Sequence, residues 1–414
     1  MTSPTVVLVG TLDTKGEEFA FLRSCIESCG LETLTVDVGV LGDSPFTPDI
    51  SRATVAAAAN EDLGVLIARK DRGRSVQTMA MGAGATILHL YEQGAIQGIV
   101  SLGGSAGTTI ATAAMRKLPV GFPKLMVSTL ASGDIKPYVG TTDICMMYSV
   151  VDIAGLNAVS RKILRNAAAA ICGMVTRREV DLSAERPAIA ATMFGVTTPC
   201  VTAARHRLEE RGYEVLVFHA TGSGGQAMEQ LIQDGAFQGS LDVTTTELAD
   251  ELVGGVLSAG PHRLEAAGLK GIPQVVSPGA IDMVNFGPMD SVPSQFRTRN
   301  LYAHNPTVTL MRTTPEECAQ IGHITATKLN SARGPVTMVI PLQGVSAIDK
   351  PGEAFYWPEA LAAYRCALKE TLSPAIKVVE LDAHINDEAF AHAAADLLLE
   401  SLAVDLAYDR LADS

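Results

Sequence analysis

The segment SLGGSAGTT, residues 101–109, places glycines and hydroxyl side chains between an apolar run and a helical pattern. Glycines let the backbone approach a ligand closely, and the first amides of a helix attract anions. We therefore predict phosphate or carboxylate binding here, although a plain strand-to-helix turn is the alternative. The predicted binding residues are Gly103, Gly104, Ser105, Gly107, Thr108 and Thr109.

A second candidate loop, GTLDTKG at residues 10–16, follows the first apolar run, where doubly wound sheets bind their ligands. It is not a P-loop, because Lys15 precedes Gly16 and no Ser or Thr follows. Lys15 could still contact phosphate, and Asp13 could hold a metal or a ribose hydroxyl. The alternative is a helix capped by Thr14 and Glu17. The predicted binding residues are Gly10, Thr11, Asp13, Thr14 and Lys15.

Two charged positions extend this candidate site. Asp37 ends the second predicted strand, where Rossmann-like folds place an acid on the ribose. Arg69 opens the basic cluster RKDRGR, residues 69–74. In an acidic chain such a cluster is a candidate for triphosphate contact, and a solvated face is the alternative.

The second half of the chain carries the motif FHATGSGGQAME at residues 218–229, again a strand, a glycine-rich turn and a helix start. Polar segments later in the chain contain further candidate catalytic and substrate-binding residues. Proton transfer would require at least two of these candidate side chains to lie in one pocket. We predict catalytic roles for His219, Asp282 and His384, and substrate binding by Thr221, Gly222, Gly224, Gly225, Asn285 and His304. The alternative for each histidine is a purely structural hydrogen bond, in the core or at the surface.

The elements that position these loops alternate between apolar strands and helices of ten or more residues. This alternation predicts an α/β fold with mainly parallel sheets. The length of 414 residues favours two domains. We predict Rossmann-like doubly wound domains at residues 1–180 and 187–414, with a charged linker at 178–187 and any chemistry in a cleft between the two.

Composition excludes several classes of function. A formal charge of −13 argues against a nucleic-acid-binding protein, which needs a positive surface. Seven cysteines without a CxxC pair indicate buried free thiols and a cytoplasmic location. Neither a signal peptide nor a membrane span is predicted.

Residues 10–16, 103–109, 218–229 and 277–282 together resemble the family of the ATP-binding amino-terminal domain of the tomato mosaic virus resistance protein. The resemblance covers almost the whole chain. It implies two Rossmann-like subdomains, ATP binding in the first, and a homodimer. In longer relatives a TIM-barrel-like domain follows, and we expect it to be missing here. The plant member's viral partner is not transferred to this chain.

Three functions therefore remain open from the sequence. The first is nucleotide binding, with ATP as the ligand and Mg²⁺ as a candidate metal. The second is an enzyme that acts on a small organic or sugar acid as a hydrolase, lyase or isomerase. The third is a non-catalytic interaction module.

Overall fold

The computed structural model describes residues 3–177 and 186–412, with side chains up to residue 403. The chain divides into two compact units, Met1–Asp181 and Leu182–Ser414. The predicted linker lies outside the described residues except for Arg186 and Pro187. No helix among the described residues is long and apolar enough to cross a bilayer.

The N-terminal unit is a five-stranded parallel sheet with the strand order β2-β1-β3-β4-β5. Its strands are β1 (Thr5–Gly10), β2 (Glu32–Asp37), β3 (Gly98–Gly103), β4 (Lys124–Ser128) and β5 (Cys145–Tyr148). Its helices are α1 (Leu12–Glu27), α2 (Arg52–Ala58), α3 (Leu63–Arg69), α4 (Arg72–Glu92), α5 (Ser105–Met115), α6 (Lys136–Val139) and α7 (Ala158–Thr176).

Helices cover both faces of this sheet. Strands β1 and β3 are accordingly apolar at successive positions rather than at alternate ones. Val7 and Val9 pack in one cluster with residues of α2 to α5, whereas Val6 and Leu8 pack in another with α1 and α7. The chain thus winds in both directions from the pair β1 and β3. In sheets of this order that pair is the topological switch point, and ligands bind beyond it.

The C-terminal unit contains a six-stranded parallel sheet with the order β14-β13-β9-β8-β6-β7 and a three-stranded antiparallel sheet with the order β10-β12-β11. Its strands are β6 (Ala188–Met193), β7 (Glu214–His219), β8 (Gly239–Thr244), β9 (Gln274–Gly279), β10 (Met283–Phe286), β11 (Leu301–Asn305), β12 (Val308–Arg312), β13 (Val336–Pro341) and β14 (Lys377–Leu381). Its helices are α8 (Thr198–Glu209), α9 (Ser223–Gln233), α10 (Glu247–Val253), α11 (Ala266–Lys270), α12 (Pro315–Leu329), α13 (Pro358–Thr371) and α14 (Glu388–Ala412).

The α/β fold with mainly parallel sheets is confirmed, since both large sheets are parallel throughout. The antiparallel sheet was not predicted. The start of α1 also differs: the helix begins at Leu12 and is interrupted at Lys15, where φ is −129°. The capping box expected from Thr14 and Glu17 is therefore not formed, and the Thr14 hydroxyl bonds to Thr11 instead.

Candidate functional site

A pocket of about 860 Å³ opens at the carboxyl ends of β1 and β3, the switch point of the N-terminal sheet. Two predicted loops form one side of it, through Thr11, Asp13, Thr14 and Lys15 and through Gly103, Gly104, Ser105 and Gly107. An apolar wall faces them, formed by Val38, Val40, Leu41, Leu66, Ile67, Val76, Met79 and Ile110. The two loops that the sequence singled out independently therefore line a single cavity.

The loop after β3 is shaped by close packing of its own backbone. A Cβ on Gly103 would lie 3.1 Å from the Cα of Gly107, so this position has little room for a side chain. Gly104 is the N-cap of α5, and the first helical bond joins the Thr108 amide to its carbonyl at 2.8 Å. The preceding first-turn amides have no acceptor within the helix. The start of α5 thus presents backbone donors to the pocket.

Two hydroxyls predicted for phosphate binding are engaged elsewhere. Thr108 is fully buried and its Oγ1 lies 2.7 Å from Ser128 Oγ on β4. Thr109 Oγ1 donates to the Ser105 carbonyl at 2.8 Å. Neither residue lines the pocket. Their expected ligand contacts are accordingly revised to structural hydrogen bonds, and Ser105 is the hydroxyl of this loop that faces the cavity.

The loop after β1 contributes charged groups of both signs. Lys15 donates from Nζ to the Ile153 carbonyl. Asp13 Oδ2 accepts from the amides of Leu41 at 2.7 Å and Gly42 at 3.1 Å, whereas its buried Oδ1 has no partner among the described residues. Gly10 does not line the pocket, and a Cβ there would overlap the ring of Phe19 on α1. Its expected ligand role is revised to helix packing.

Asp37 does not reach the pocket. Its Oδ1 accepts from the amides of Leu12 at 3.2 Å and Gly39 at 2.9 Å. Burial raises the pKa of this carboxyl, and these two amide bonds oppose the rise. The expected ribose contact is thus replaced by a brace that holds the loops after β1 and β2.

Arg69 is also outside the pocket and pairs with Glu61 at 3.6 Å. The cations of the basic cluster that do line the cavity are Lys70 and Arg72, at the junction of α3 and α4. Asp152, which follows β5 and lines the cavity, was not among the binding residues predicted from the sequence. The four-residue strand CMMY is too short to carry a recognisable pattern, so the loop that follows it could not be predicted.

The glycine-rich turn of the C-terminal unit is filled by the protein itself. Glu247 Oε1 accepts from the amides of Gly222 at 2.7 Å and Gly225 at 3.1 Å. Thr221 Oγ1 donates to the His219 carbonyl, and a Cβ on Gly224 would overlap that carbonyl. The substrate role expected for Thr221, Gly222, Gly224 and Gly225 is therefore revised, since an internal carboxylate already occupies this turn.

Behind that turn lies a fully buried arginine. Arg263 Nε donates to Glu247 Oε2 at 2.6 Å, and its two terminal nitrogens contact the Asp242 carboxylate at 2.5 and 2.7 Å. Glu229 lies 3.2 Å away and also accepts from the amides of Leu264 and Ala266. This set, Arg263 with Asp242, Glu247 and Glu229, is called the arginine cluster below.

The three predicted catalytic residues do not meet. His219 ends β7 at one edge of the sheet, is exposed, and packs against Phe194 with ring centroids 5.4 Å apart. Asp282 follows β9, which lies three strand spacings, or about 14 Å, from β7 in the sheet. His384 follows β14, at the edge of the sheet opposite β7. A cleft of about 520 Å³ between α8 and α14 contains none of them.

Asp282 and His384 both hydrogen-bond to Ser346. Asp282 Oδ2 accepts from Ser346 Oγ at 2.7 Å, and His384 Nε2 donates to the Ser346 carbonyl at 2.9 Å. Burial, together with the nearby Asp349 carboxylate, raises the pKa of Asp282 to about 7. With Asp282 only 1% exposed, this arrangement is a buried polar brace, and the expected catalytic trio is revised.

Asn285 and His304 are separated as well. Asn285 is buried on β10 and donates from Nδ2 to Asp250 Oδ2 at 2.7 Å. His304 is exposed on β11. Their expected role in one substrate site is revised accordingly. Among the described residues no group of three or more His, Cys, Asp or Glu side chains is arranged to hold a metal.

The fold and the pocket define a class: an α/β protein of two doubly wound units, the first with an open cavity at its switch point. Residues 4–180 match the N-terminal domain, and residues 186–402 the C-terminal domain, of the uncharacterised protein family UPF0261. The chain therefore belongs to the UPF0261 family.

Its relatives are bacterial and plant proteins. A UPF0261 protein of Clostridium tetani is 55% identical over 398 residues, which cover 96% of this chain and 98% of that protein. The ToMV resistance protein Tm-1(GCR237) of Solanum lycopersicum is 41% identical over 422 residues, covering 96% of this chain and 56% of the tomato protein. Among solved structures, Est1E from Butyrivibrio proteoclasticus overlaps 53% of this chain and 89% of its own at 14% identity, with a TM-score of 0.29 that bears on no function.

Proposed function

We propose that the N-terminal unit binds a nucleotide, ATP, in the pocket between the loops after β1 and β3. The position of the cavity is the main observation that supports this proposal. A doubly wound sheet of this strand order binds its ligands beyond the first and third strands, and the 860 Å³ cavity lies there. Its volume is within the range of small-molecule sites.

The two sides of the pocket match the two parts of a nucleotide. The first-turn amides of α5, the Ser105 hydroxyl and the cations Lys70 and Arg72 suit a polyphosphate, since helix starts and basic groups attract anions. The wall that includes Val40, Leu66 and Met79 suits the planar base.

Mg²⁺ would fit beside the phosphates. Asp13 and Asp152 line the pocket, and Asp13 Oδ1 has no hydrogen-bond partner among the described residues. Mg²⁺ is commonly held by one or two carboxylates together with phosphate oxygens. When bound, the metal would neutralise phosphate charge, and Asp13 and Asp152 would hold it.

Isothermal titration of the full chain with ATP and Mg²⁺ tests the proposal. Gly104→Val places a side chain at a position with free space around it, the nearest atom being Thr129 Oγ1 at 3.8 Å from the Cβ. We expect ATP affinity to fall at least tenfold. Gly195→Val, in equally open space in the C-terminal unit, is the matched control and should bind like the parent.

Thermal unfolding gives an independent measurement. A ligand at a hundred times its Kd adds about 2.7 kcal/mol to the free energy of unfolding, so the melting temperature of the N-terminal unit should rise. No heat of binding together with no thermal shift at millimolar ATP would overturn the proposal. The homodimer implied by the family resemblance is a separate expectation, which light scattering tests.

A further inference from the structure

Helix α3, beside the pocket, is short and largely exposed. It spans seven residues, a length at which a helix depends on packing against its neighbours. Leu66 is 1% exposed and Leu63 packs against the same apolar cluster, whereas Val65 and Ile67 are 41% and 42% exposed. Two leucines therefore fix this helix to the rest of the unit.

The backbone is left-handed on both sides of α3. Asn60, shortly before the helix, has a φ of +58°, and Lys70, its C-cap residue, has a φ of +52°. This conformation is unfavourable for residues other than glycine, and such residues cluster at segments that move in function. Hinges are commonly a few residues at the ends of an element. Asn60 and Lys70 are thus placed to act as the two hinges of α3.

One carboxylate links α3 to the helix that follows it. Glu61 Oε1 lies 3.6 Å from Arg69 Nη1 at the end of α3 and accepts from Arg74 Nη2 on α4 at 2.6 Å. The other two cations of this segment, Lys70 and Arg72, line the pocket instead. A polyphosphate in the pocket would attract both of them, and Lys70 is also a hinge residue. Ligand binding would therefore act directly on the position of α3.

The mouth of the pocket carries apolar side chains that remain in contact with solvent. Ile67 of α3 and Leu41 of the loop after β2 both line the cavity, although Leu41 is 84% exposed. Apolar surface gains free energy when it leaves water. A bound base that these two side chains cover is therefore more stable than one left in contact with water.

We propose that α3 is a lid, which turns about Asn60 and Lys70 and closes over the bound nucleotide. The proposal rests on the nucleotide site proposed above. In the closed position Ile67 and Leu41 cover the base, and Lys70 contacts the phosphates. A ligand shifts such an equilibrium only through contacts that differ between the two states, and these are the contacts that closure adds. The lid slows release of the nucleotide, because it must reopen before the ligand leaves.

Hydrogen exchange of the full chain, measured by mass spectrometry of its peptides, tests the movement of α3. Without a ligand, the amides of α3 should exchange at least about tenfold faster than those of α4 between Met79 and Leu90, which packs in the core. Saturating ATP with Mg²⁺ should slow exchange in α3 by a similar factor and leave the α4 peptide nearly unchanged. Glu61→Ala should speed exchange in α3 without a ligand, and Glu92→Ala, at an exposed position of α4, is the control.

The rate of nucleotide release tests the closed position. Ile67→Ser removes an apolar side chain that lines the pocket, and should raise the dissociation rate of a fluorescent ATP analogue about tenfold. Val65→Ser is the matched control, because Val65 is a β-branched residue of the same helix with nearly the same exposure but does not line the pocket. Its dissociation rate should stay within about twofold of the parent rate.

Three results contradict the lid. The first is exchange in α3 as slow as in α4 without a ligand, and the second is exchange in α3 that bound ATP leaves unchanged. The third is an equal dissociation rate in Ile67→Ser and Val65→Ser. A titration in which ATP gives no heat would instead contradict the nucleotide site. The ligand-free comparison of α3 with α4 still decides in that case whether the helix opens, because it needs no bound nucleotide.

Discussion

The two parallel sheets share a strand order around their central strands but differ in what lies beyond them. In the N-terminal unit, the carboxyl ends of β1 and β3 border an open cavity. In the C-terminal unit the corresponding strands are β6 and β8, and polar side chains of the protein fill this position. Thr192 bonds to Asp242 at 2.7 Å, Thr197 lies 2.8 Å from Thr244, and Arg263 contacts Asp242.

The difference shows that the same strand order can leave an open pocket at the switch point or can fill that position with charged side chains of the protein. Glu247 occupies the backbone donors of the second glycine-rich turn as an anionic ligand would, and Arg263 balances that carboxylate. A buried charge is tolerated when it is paired and hydrogen-bonded in this way. The two glycine-rich turns are similar in sequence but differ in what they face. The first faces a cavity, and the second faces an internal ion pair.

The largest effect is expected from removal of the arginine cluster's cation. Arg263→Met leaves three buried carboxylates without their partner, which should lower the free energy of unfolding of the C-terminal unit by about 3–5 kcal/mol. The fluorescence of the single tryptophan, Trp357, reports on this unit during urea unfolding.

The matched control is Arg205→Met, which breaks an exposed pair with Glu209 on one helix and should cost under about 1 kcal/mol. Equal effects of the two substitutions would contradict the idea that the arginine cluster closes the second switch point.

The next effect compares the glycine-rich turns directly. In Gly225→Ala the new methyl would overlap the Glu247 carboxylate, which must shift and weaken its amide bonds, and we expect a loss of about 2–3 kcal/mol. Gly104→Ala finds open space and should change stability by less than about 1 kcal/mol. Calorimetry of the full chain measures both. Similar losses at the two positions would mean that the first turn is as tightly filled as the second.

A smaller effect is a dependence on pH in the C-terminal unit. Asp282 has its pKa raised by burial to about 7 from an ordinary value of 3.8, so the folded unit holds a proton that the unfolded chain has released. Stability should therefore decrease as pH rises from about 4 to about 7, by at most about 1.4 kcal/mol per pH unit for this group.

Asp282→Asn removes this titration and should make the curve of unfolding free energy against pH less steep over that window, while Asp250, whose pKa burial also raises to about 7, keeps part of the slope. Asp234→Asn, at an exposed position, is the control and should leave the curve unchanged. A variant curve parallel to that of the parent between pH 4 and 7 would show that Asp282 is ionised throughout.

The sequence predicted the elements of the first sheet, and the two loops that line its pocket, from signals that are local. Apolar runs followed by glycine-rich turns indicated β1 and β3, and the parallel alternation placed both turns at one edge of the sheet. Asn157 and Thr314 likewise start α7 and α12 with reciprocal capping bonds. Short strands such as β5 and β10 carry too few residues for a periodic pattern.

The roles of polar side chains were less predictable because their partners are distant. Asp37 and Thr108 have residue types suited to ligand binding, yet their partners Leu12 and Ser128 lie 25 and 20 positions away. Glu247 has its bonds to the glycine-rich turn across 22 and 25 positions. Only the folded structure shows that these groups are already satisfied.

The smallest expected effect separates the hydroxyls of the first loop. Thr108→Ala removes a buried bond to Ser128 and should cost the N-terminal unit about 1–2 kcal/mol of stability, with ATP affinity changed less than about threefold. Ser105→Ala removes a hydroxyl that lines the pocket, and should lower ATP affinity about tenfold with little loss of stability, since a bond to a charged phosphate is worth about 1.5–3 kcal/mol. Thr108→Ser keeps the hydroxyl and is the control for packing. A tenfold affinity loss in Thr108→Ala, restored in Thr108→Ser, would show that the Thr108 hydroxyl exchanges Ser128 for the ligand, and that the first switch point, like the second, is partly held closed by its own side chains.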